Sequence, residues 1–238
     1  MLFVDATRLA FLDNLPKGGA WAEVGVAKGD HAAHILARCA PSVLHLIDPW
    51  LHQDRADYQT ADHNLPKDQQ DDRYNAVLKR FAPEIRSGQV VVHRAKSLDA
   101  VSTIAEGSLD AVYVDGMHTF DAVLADLEAW RTRLRPGGVL IGDDHAEHAA
   151  SAHKNFGVIG AVTAFRRRSG YRMVALTREL YPSYFLAPPG RSPWAATFVR
   201  SLLESQLSMI DLPESLVANF HHRTLRRADG SIRLIPGF

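Results

Sequence analysis

Continuous apolar runs of strand length, WAEVGV, VLHLID, QVVVH, LDAVYVD and GVLIGDD, alternate along the chain with stretches of helical period such as HAAHILARCA, YNAVLKRFA and FDAVLADLEAWRTRL. A strand that is apolar at every position needs cover on both faces, whereas a half-exposed antiparallel strand alternates apolar with polar residues. The pattern therefore predicts an α/β fold with a doubly wound, mostly parallel sheet and helices on both faces. Downstream, GVIGAVTAFRRR reads as one more helix. YRMVALT and YFLA read as two further strands that close the sheet as an antiparallel pair, making it seven-stranded.

In the helix after Asp115, Phe120, Val123, Leu124, Leu127 and Leu134 recur at three- and four-residue steps and belong to the core. The opening MLFVDATRLAFLDNL interrupts its apolar residues with Asp5, Arg8 and Asp13, unlike a secretory signal, and reads as an amphipathic helix. Two segments fall outside the alternation. LHQDRADYQTADHNLPKDQQDD, residues 51–72, is polar throughout and follows a strand end directly, as a lid would. From Arg191 onward come the helix-like PWAATFVRSLLESQLSMI and a hairpin, RTLRRADGSIRLI, turning at Asp229-Gly230. The expected organisation is a principal domain over residues 1–190, including the N-terminal helix and the lid, and an appendage over 191–238. That appendage covers substrate or forms a homo-oligomer contact.

Composition narrows the function classes. The chain is 46% hydrophobic and 23% charged, as in ordinary globular proteins, and no apolar run reaches the roughly 18 residues of a membrane span. One cysteine, Cys39, excludes an internal disulfide and a cysteine-rich zinc cage, and it suits a reducing, cytoplasmic setting. With 27 basic and 27 acidic residues there is no overall positive field to collect nucleic acid. The densest basic cluster, Arg166, Arg167 and Arg168, sits where a helix end favours cations. The partner expected is a small molecule, with neither nucleic acid nor membrane.

Ligands of open α/β sheets gather beyond the carboxyl ends of the strands, so the strand tips carry the functional signal. The first tip reads Glu23-Val-Gly25-Val-Ala27-Lys-Gly29-Asp30. Gly25 and Gly29 permit a tight strand-to-helix turn and close backbone approach to a ligand. A dinucleotide fingerprint needs glycine or alanine where Asp30 stands, and an acid at the helix start repels a pyrophosphate. Glu23 instead suits the ammonium of a cationic amino-acid ligand. The next tip places Asp48 where a carboxylate accepts both hydroxyl protons of a ribose, or, on the plainer reading, caps the loop ahead of Pro49.

The order E-x-G-x-x-x-G, IDPW, DGxH and PGGVLIGDD resembles the class I, Rossmann-like S-adenosylmethionine-dependent methyltransferases, over roughly residues 20 to 187. The resemblance implies that Glu23, Gly25 and Gly29 hold the methionine part of the cofactor, that Asp48 holds the ribose, and that Ala95, Lys96 and Ser97 border adenine. Asp115, at the tip of the strand after them, is included among the cofactor contacts.

VYVDGMH and VLIGDDH place Asp115, Asp143 and Asp144 at two successive strand tips. Converging carboxylates repel one another, and a divalent cation neutralises them. All-oxygen ligation favours magnesium, manganese or calcium. The alternative is that each aspartate caps a following helix. Here the resemblance is to metal-dependent O-methyltransferases of the catechol and macrocin types, which act on vicinal oxygens of small molecules. It implies Asp115, Asp143 and Asp144 as ligands of a divalent cation, with magnesium the expected one. His118 stands where the catechol type has a lysine base and some sugar-modifying relatives a histidine. It is the candidate general base, working beside Asp115, and near a cation it is expected to give up its own proton readily. The plainer reading makes it the cap of the helix that begins at Thr119. His145, His148 and His153 follow the aspartate pair and offer a softer metal an alternative site. Trp50, Tyr58, Trp194 and Phe220 are candidate acceptor walls. A metal-independent methyltransferase and a non-catalytic accessory protein of the same fold are the competing functions.

Overall fold

The computed structural model describes residues 1–54, 64–148, 151 and 155–238. The five apolar runs become the parallel strands β2 (Ala20–Val24), β3 (Val43–Asp48), β4 (Val90–Arg94), β5 (Leu109–Val114) and β6 (Leu134–Gly142). The expected antiparallel closure is present: β8 (Tyr184–Ala187) lies between β6 and β7 (Arg172–Thr177), antiparallel to both.

Two strands exceed the expected seven. The N-terminus begins as β1 (Leu2–Val4) and becomes helical only at α1 (Arg8–Asn14). An unpaired strand edge offers backbone donors and acceptors that a short extended segment satisfies. β1 adds in parallel to β7, β9 (Met209–Asp211) adds antiparallel to β1, and Val4 is fully buried there. The sheet therefore runs β4-β3-β2-β5-β6-β8-β7-β1-β9.

The helices that flank it are α2 (Asp30–Cys39), α3 (Lys67–Arg80), α4 (Ala82–Ser87), α5 (Ser97–Val101), α6 (Phe120–Trp130), α7 (Val158–Ser169) and α8 (Pro193–Glu204). Successive strand residues face opposite sides. Ala22, Val24, Val112 and Leu140 pack with Leu127, Trp130 and Phe165 on one side, and Trp21, Tyr113 and Ile141 pack with Phe11, Ile35 and Phe198 on the other. This is why the runs are apolar throughout. Each such side chain, fully buried, contributes about 1.5–3 kcal/mol. Cys39 is a buried free thiol within the second group.

Of the polar segment 51–72, the last six residues open α3, while 55–63, with Tyr58, lie outside the described residues. The segment after residue 190 divides. Ser192 caps α8 by accepting from the Ala195 N–H at 3.1 Å, and Phe198 stacks on Phe185 with centroids 4.3 Å apart, inside the main core. Only β10 (His221–Arg226) and β11 (Ile232–Gly237) form a separate hairpin, with Asp229 accepting from the Ser231 N–H at its turn. Among the described residues no helix is long and apolar enough to cross a membrane.

Candidate active site

Strand order reverses between β2 and β5, and the crevice at their carboxyl ends opens into a cavity of about 1230 Å³. The two tips are in close contact. The Asp115 N–H donates to the Val24 carbonyl at 2.8 Å, and a Cβ on Gly25 would lie 1.9 Å from the Asp115 carbonyl oxygen. Gly25 also has φ +89, so both space and backbone conformation require glycine. Gly29 directly precedes α2 and faces the Phe81 ring.

Glu23 is buried at the cavity floor. One oxygen, Oε1, lies 3.0 Å from His31 Nδ1, and Oε2 has no hydrogen-bond partner among the described residues. Burial, with the nearby Asp115 charge, pushes its pKa well above the usual carboxylate range. Burial likewise lowers His31 to about 4. An orphaned buried acceptor is costly until a donor meets it, and a cationic amine supplies both donor and charge. The floor therefore fits the ammonium end of S-adenosylmethionine. Glu23→Gln is expected to weaken S-adenosylhomocysteine binding by about 10- to 100-fold, the worth of a charge-assisted hydrogen bond, as read by titration calorimetry.

Asp48 is also at the cavity, but much of its capacity is engaged. Oδ2 accepts from the N–H groups of Val26 at 3.0 Å and Ala27 at 2.9 Å, and Oδ1 accepts from the Trp50 N–H at 2.7 Å. A carboxylate has about four acceptor positions, so roughly one is left for a ribose hydroxyl rather than two. Asp48 thus shapes the loop, as the plainer reading of the sequence had it, and lines the cavity with about one acceptor position left over. Lys96 and Ser97 line the cavity as well. Ala95 instead packs against the core, its N–H bonded to the Asp48 and His93 carbonyls.

The acidic centre is organised differently from a ring of three equivalent carboxylates. Asp143 is engaged on both oxygens, by Ser183 Oγ and by Arg8 Nη1, each at 2.8 Å. Burial and the charges of Asp115 and Asp144 raise its pKa. Arg8 also reaches Asp115 at 3.4 Å. The groups that converge are Asp115, His118 and Asp144, whose ligand atoms lie within 4.8 Å of one another. His118 Nε2 stands 3.3 Å from Asp115 and 2.9 Å from Asp144. Burial opposes the charged ring, but hydrogen bonds to both carboxylates prevail and push its pKa up to about 10. With the two carboxylates as its neighbours the ring is held protonated, the opposite of what a neighbouring cation does. Asp144 carries φ +59, a left-handed conformation that aspartate tolerates better than most residues.

Other expectations separate here. Trp50, Trp194 and Phe220 do not line the cavity: Trp50 is buried with its indole N–H bonded to Ala27 O, Trp194 meets Trp21 edge-on, and Phe220 packs with Phe3 and Phe238. His145 is fully buried against Tyr184 and Phe220, while His148 is bonded to the Leu180 carbonyl; neither joins the acidic centre. His153 lies outside the described residues. Arg8, His31, Asp126 and Glu179 line the cavity without having been singled out. Only Asp126 leaves a sequence signal, a carboxyl group on the stripe of Val123, Leu127 and Trp130 that faces the core.

A doubly wound sheet with a ligand cavity at the β2–β5 switch point, floored by a carboxyl group with one unpartnered oxygen and bordered by an acidic cluster, is the arrangement of a class I S-adenosylmethionine-dependent methyltransferase. Residues 22–145, more than half of the chain, match the model of a methyltransferase-domain family, and the protein belongs to that family. Among curated proteins no sequence matches it. Solved structures share the fold. The N-methyltransferase NodS of Bradyrhizobium japonicum WM9 is similar with TM-score 0.54 at 14% identity, over 77% of this chain and 93% of that one. TrmK of M. capricolum, in complex with S-adenosyl-homocysteine, is similar with TM-score 0.53 at 13% identity, over 79% and 70%. A methyltransferase of Aquifex aeolicus gives 0.51 at 11%, over 77% and 94%.

Proposed function

We propose that this methyltransferase acts on an oxygen of a small molecule with adjacent oxygens, with a divalent cation at the acidic centre and His118 as proton acceptor. The observation that carries the proposal is the convergence of Asp115, His118 and Asp144 on one point of the cavity wall. The two carboxylates offer oxygen ligands that fit a divalent cation such as magnesium or manganese, with the imidazole beside them. When bound, S-adenosylmethionine supplies an electrophilic methyl group on a sulfonium, and a cation supplies charge that acidifies a coordinated hydroxyl.

The chain's own groups supply position. Glu23 and the Gly25–Gly29 loop hold the amino-acid end of the cofactor, and Asp48 holds its ribose. Arg8 fixes Asp143, and a cation held by Asp115 and Asp144 would draw their charge away from His118 and leave its Nε2 free to take the acceptor's proton. Leu180 and Tyr181 also line the cavity. Alignment of acceptor and methyl within this enclosure supplies most of the acceleration, and no covalent enzyme intermediate is required.

A second reading, metal-free transfer, is favoured by one specific observation: Arg8 and the protonated His118 already set two cations among these acids. Calorimetric titration of magnesium or manganese into the protein with S-adenosylhomocysteine bound, together with turnover of catechols and vicinal diols in excess chelator, separates them. Saturable cation binding with loss of turnover in chelator supports the proposal. Undiminished turnover in chelator selects the metal-free reading.

A further inference from the structure

Two residues in the loops after β2 and β3 hold a backbone conformation that side chains disfavour. Ala27, between Gly25 and Gly29, has φ +49, and Trp50, just past Asp48, has φ +39. Residues other than glycine stay in this left-handed region only where their surroundings over-determine it, and such places cluster at functional sites. Here the two residues determine each other. Asp48 accepts from the N–H groups of Val26, Ala27 and Trp50, and the Trp50 indole N–H donates to the Ala27 carbonyl at 2.8 Å. Trp50 is itself fixed. It is 1% exposed, its ring meets Tyr74 with centroids 5.2 Å apart, and its carbonyl accepts from Arg94 at 3.0 Å. Arg94 in turn pairs with Asp71 and lies over the Tyr74 ring.

Asp48 orients the N–H side of Ala27, and among the described residues only the indole orients its carbonyl. In a planar trans peptide the next N–H points the opposite way. Drawing the Ala27 carbonyl toward the buried indole therefore turns the Lys28 N–H away from it, and that N–H makes no hydrogen bond to a described residue. Ala27 and Lys28 both line the cavity, whereas Trp50 does not. We infer that Trp50 is a positioning residue for the cofactor: its indole N–H fixes the Ala27–Lys28 peptide, and with it the loop after β2, in the binding shape before the ligand arrives. A loop already shaped spares the ligand the cost of ordering it. Without the indole N–H, Ala27 is held on one side only, the binding-competent fraction of the loop falls, and apparent affinity falls by the same factor. The inference rests on the reading that this loop holds the cofactor.

The test is calorimetric binding of S-adenosylhomocysteine to the full chain carrying Trp50→Phe, which keeps a buried ring and removes the N–H. Binding about tenfold weaker is expected, the worth of a hydrogen bond whose loss strands a buried carbonyl. Adding Ala27→Gly should recover most of that loss, because glycine takes a positive φ without strain. Loss of packing alone would not be repaired at Ala27. Hydrogen exchange gives a second readout: amides of residues 25–29 should exchange faster in the ligand-free variant while those of β2 and β5 keep wild-type rates. Should Trp50→Phe not fold, Arg94→Gln releases the Trp50 carbonyl instead, with a loss of about threefold expected. Glu23→Gln serves as the reference for the loop. Weaker binding in Glu23→Gln with wild-type affinity in Trp50→Phe, or in Arg94→Gln where that variant replaces it, overturns the inference alone. Wild-type affinity in all of them overturns the reading of the loop as well. A loss in Trp50→Phe that Ala27→Gly does not reduce also overturns the inference.

Discussion

Gly25→Ala is expected to destabilise the protein by about 4 kcal/mol and to abolish measurable binding of S-adenosylhomocysteine. Two costs add: about 1–3 kcal/mol for holding a non-glycine residue in a sparsely populated conformation, and about 1–3 kcal/mol for overpacking. The second cost cannot be relieved by a side-chain rotation, because the atom met at 1.9 Å is the backbone oxygen of Asp115. Relief means separating the β2 and β5 tips, which moves Glu23 and Asp115 apart and opens the cavity floor. Gly88→Ala is the control: φ is +80 there but nothing lies within 4 Å, so only the conformational cost of about 1 kcal/mol applies. Denaturant midpoints measure both. A Gly25→Ala protein within about 1 kcal/mol of wild type, with normal cofactor affinity, would show that the tips are not locked as described.

His118→Ala should lower kcat by about 10²- to 10⁴-fold, the usual range for a proton-transferring side chain, while cofactor affinity changes little. Its ring is also the cation between Asp115 and Asp144, so the alanine variant leaves two acids facing each other and should melt earlier. His118→Gln separates the two roles. The amide retains an N–H donor toward the carboxylates and should recover melting temperature, but it cannot accept the acceptor's proton and should not recover turnover. If the glutamine variant retains kcat to within about threefold, His118 serves the carboxylates alone.

The frame of this site was legible because strand tips are local in sequence. Glu23, Asp48, Asp115 and Asp144 each end an apolar run, and the sheet brings their loops together as the βαβ pattern implies. The assignment of charge among them was not, because it depends on a contact that no local pattern announces. Arg8 meets Asp143 across 135 positions, from a seven-residue helix whose sequence reads as ordinary amphipathic packing. Glu179 is similarly silent, its carboxyl group set at the cavity by the link between β7 and β8 and bonded to Thr177 at 3.0 Å. Asp126 differs from both. A carboxyl group at the core-facing step between Val123 and Leu127 is a polar interruption of an apolar stripe, and its burial is costly unless it is hydrogen-bonded, as Asp126 is by Ser97.

The N-terminal strand has a consequence for how the enzyme becomes active. Leu2 pairs with Ala175 on one side and Asp211 on the other, and the same segment carries Arg8 to the carboxylates. During synthesis this segment leaves the ribosome well before its neighbours, which are encoded some 170 to 210 positions later, so it is among the last to find its place. The central strands can pair while Asp143 still lacks its guanidinium. The site gains its full charge arrangement only when this long loop closes, so catalytic competence should follow formation of the sheet rather than accompany it.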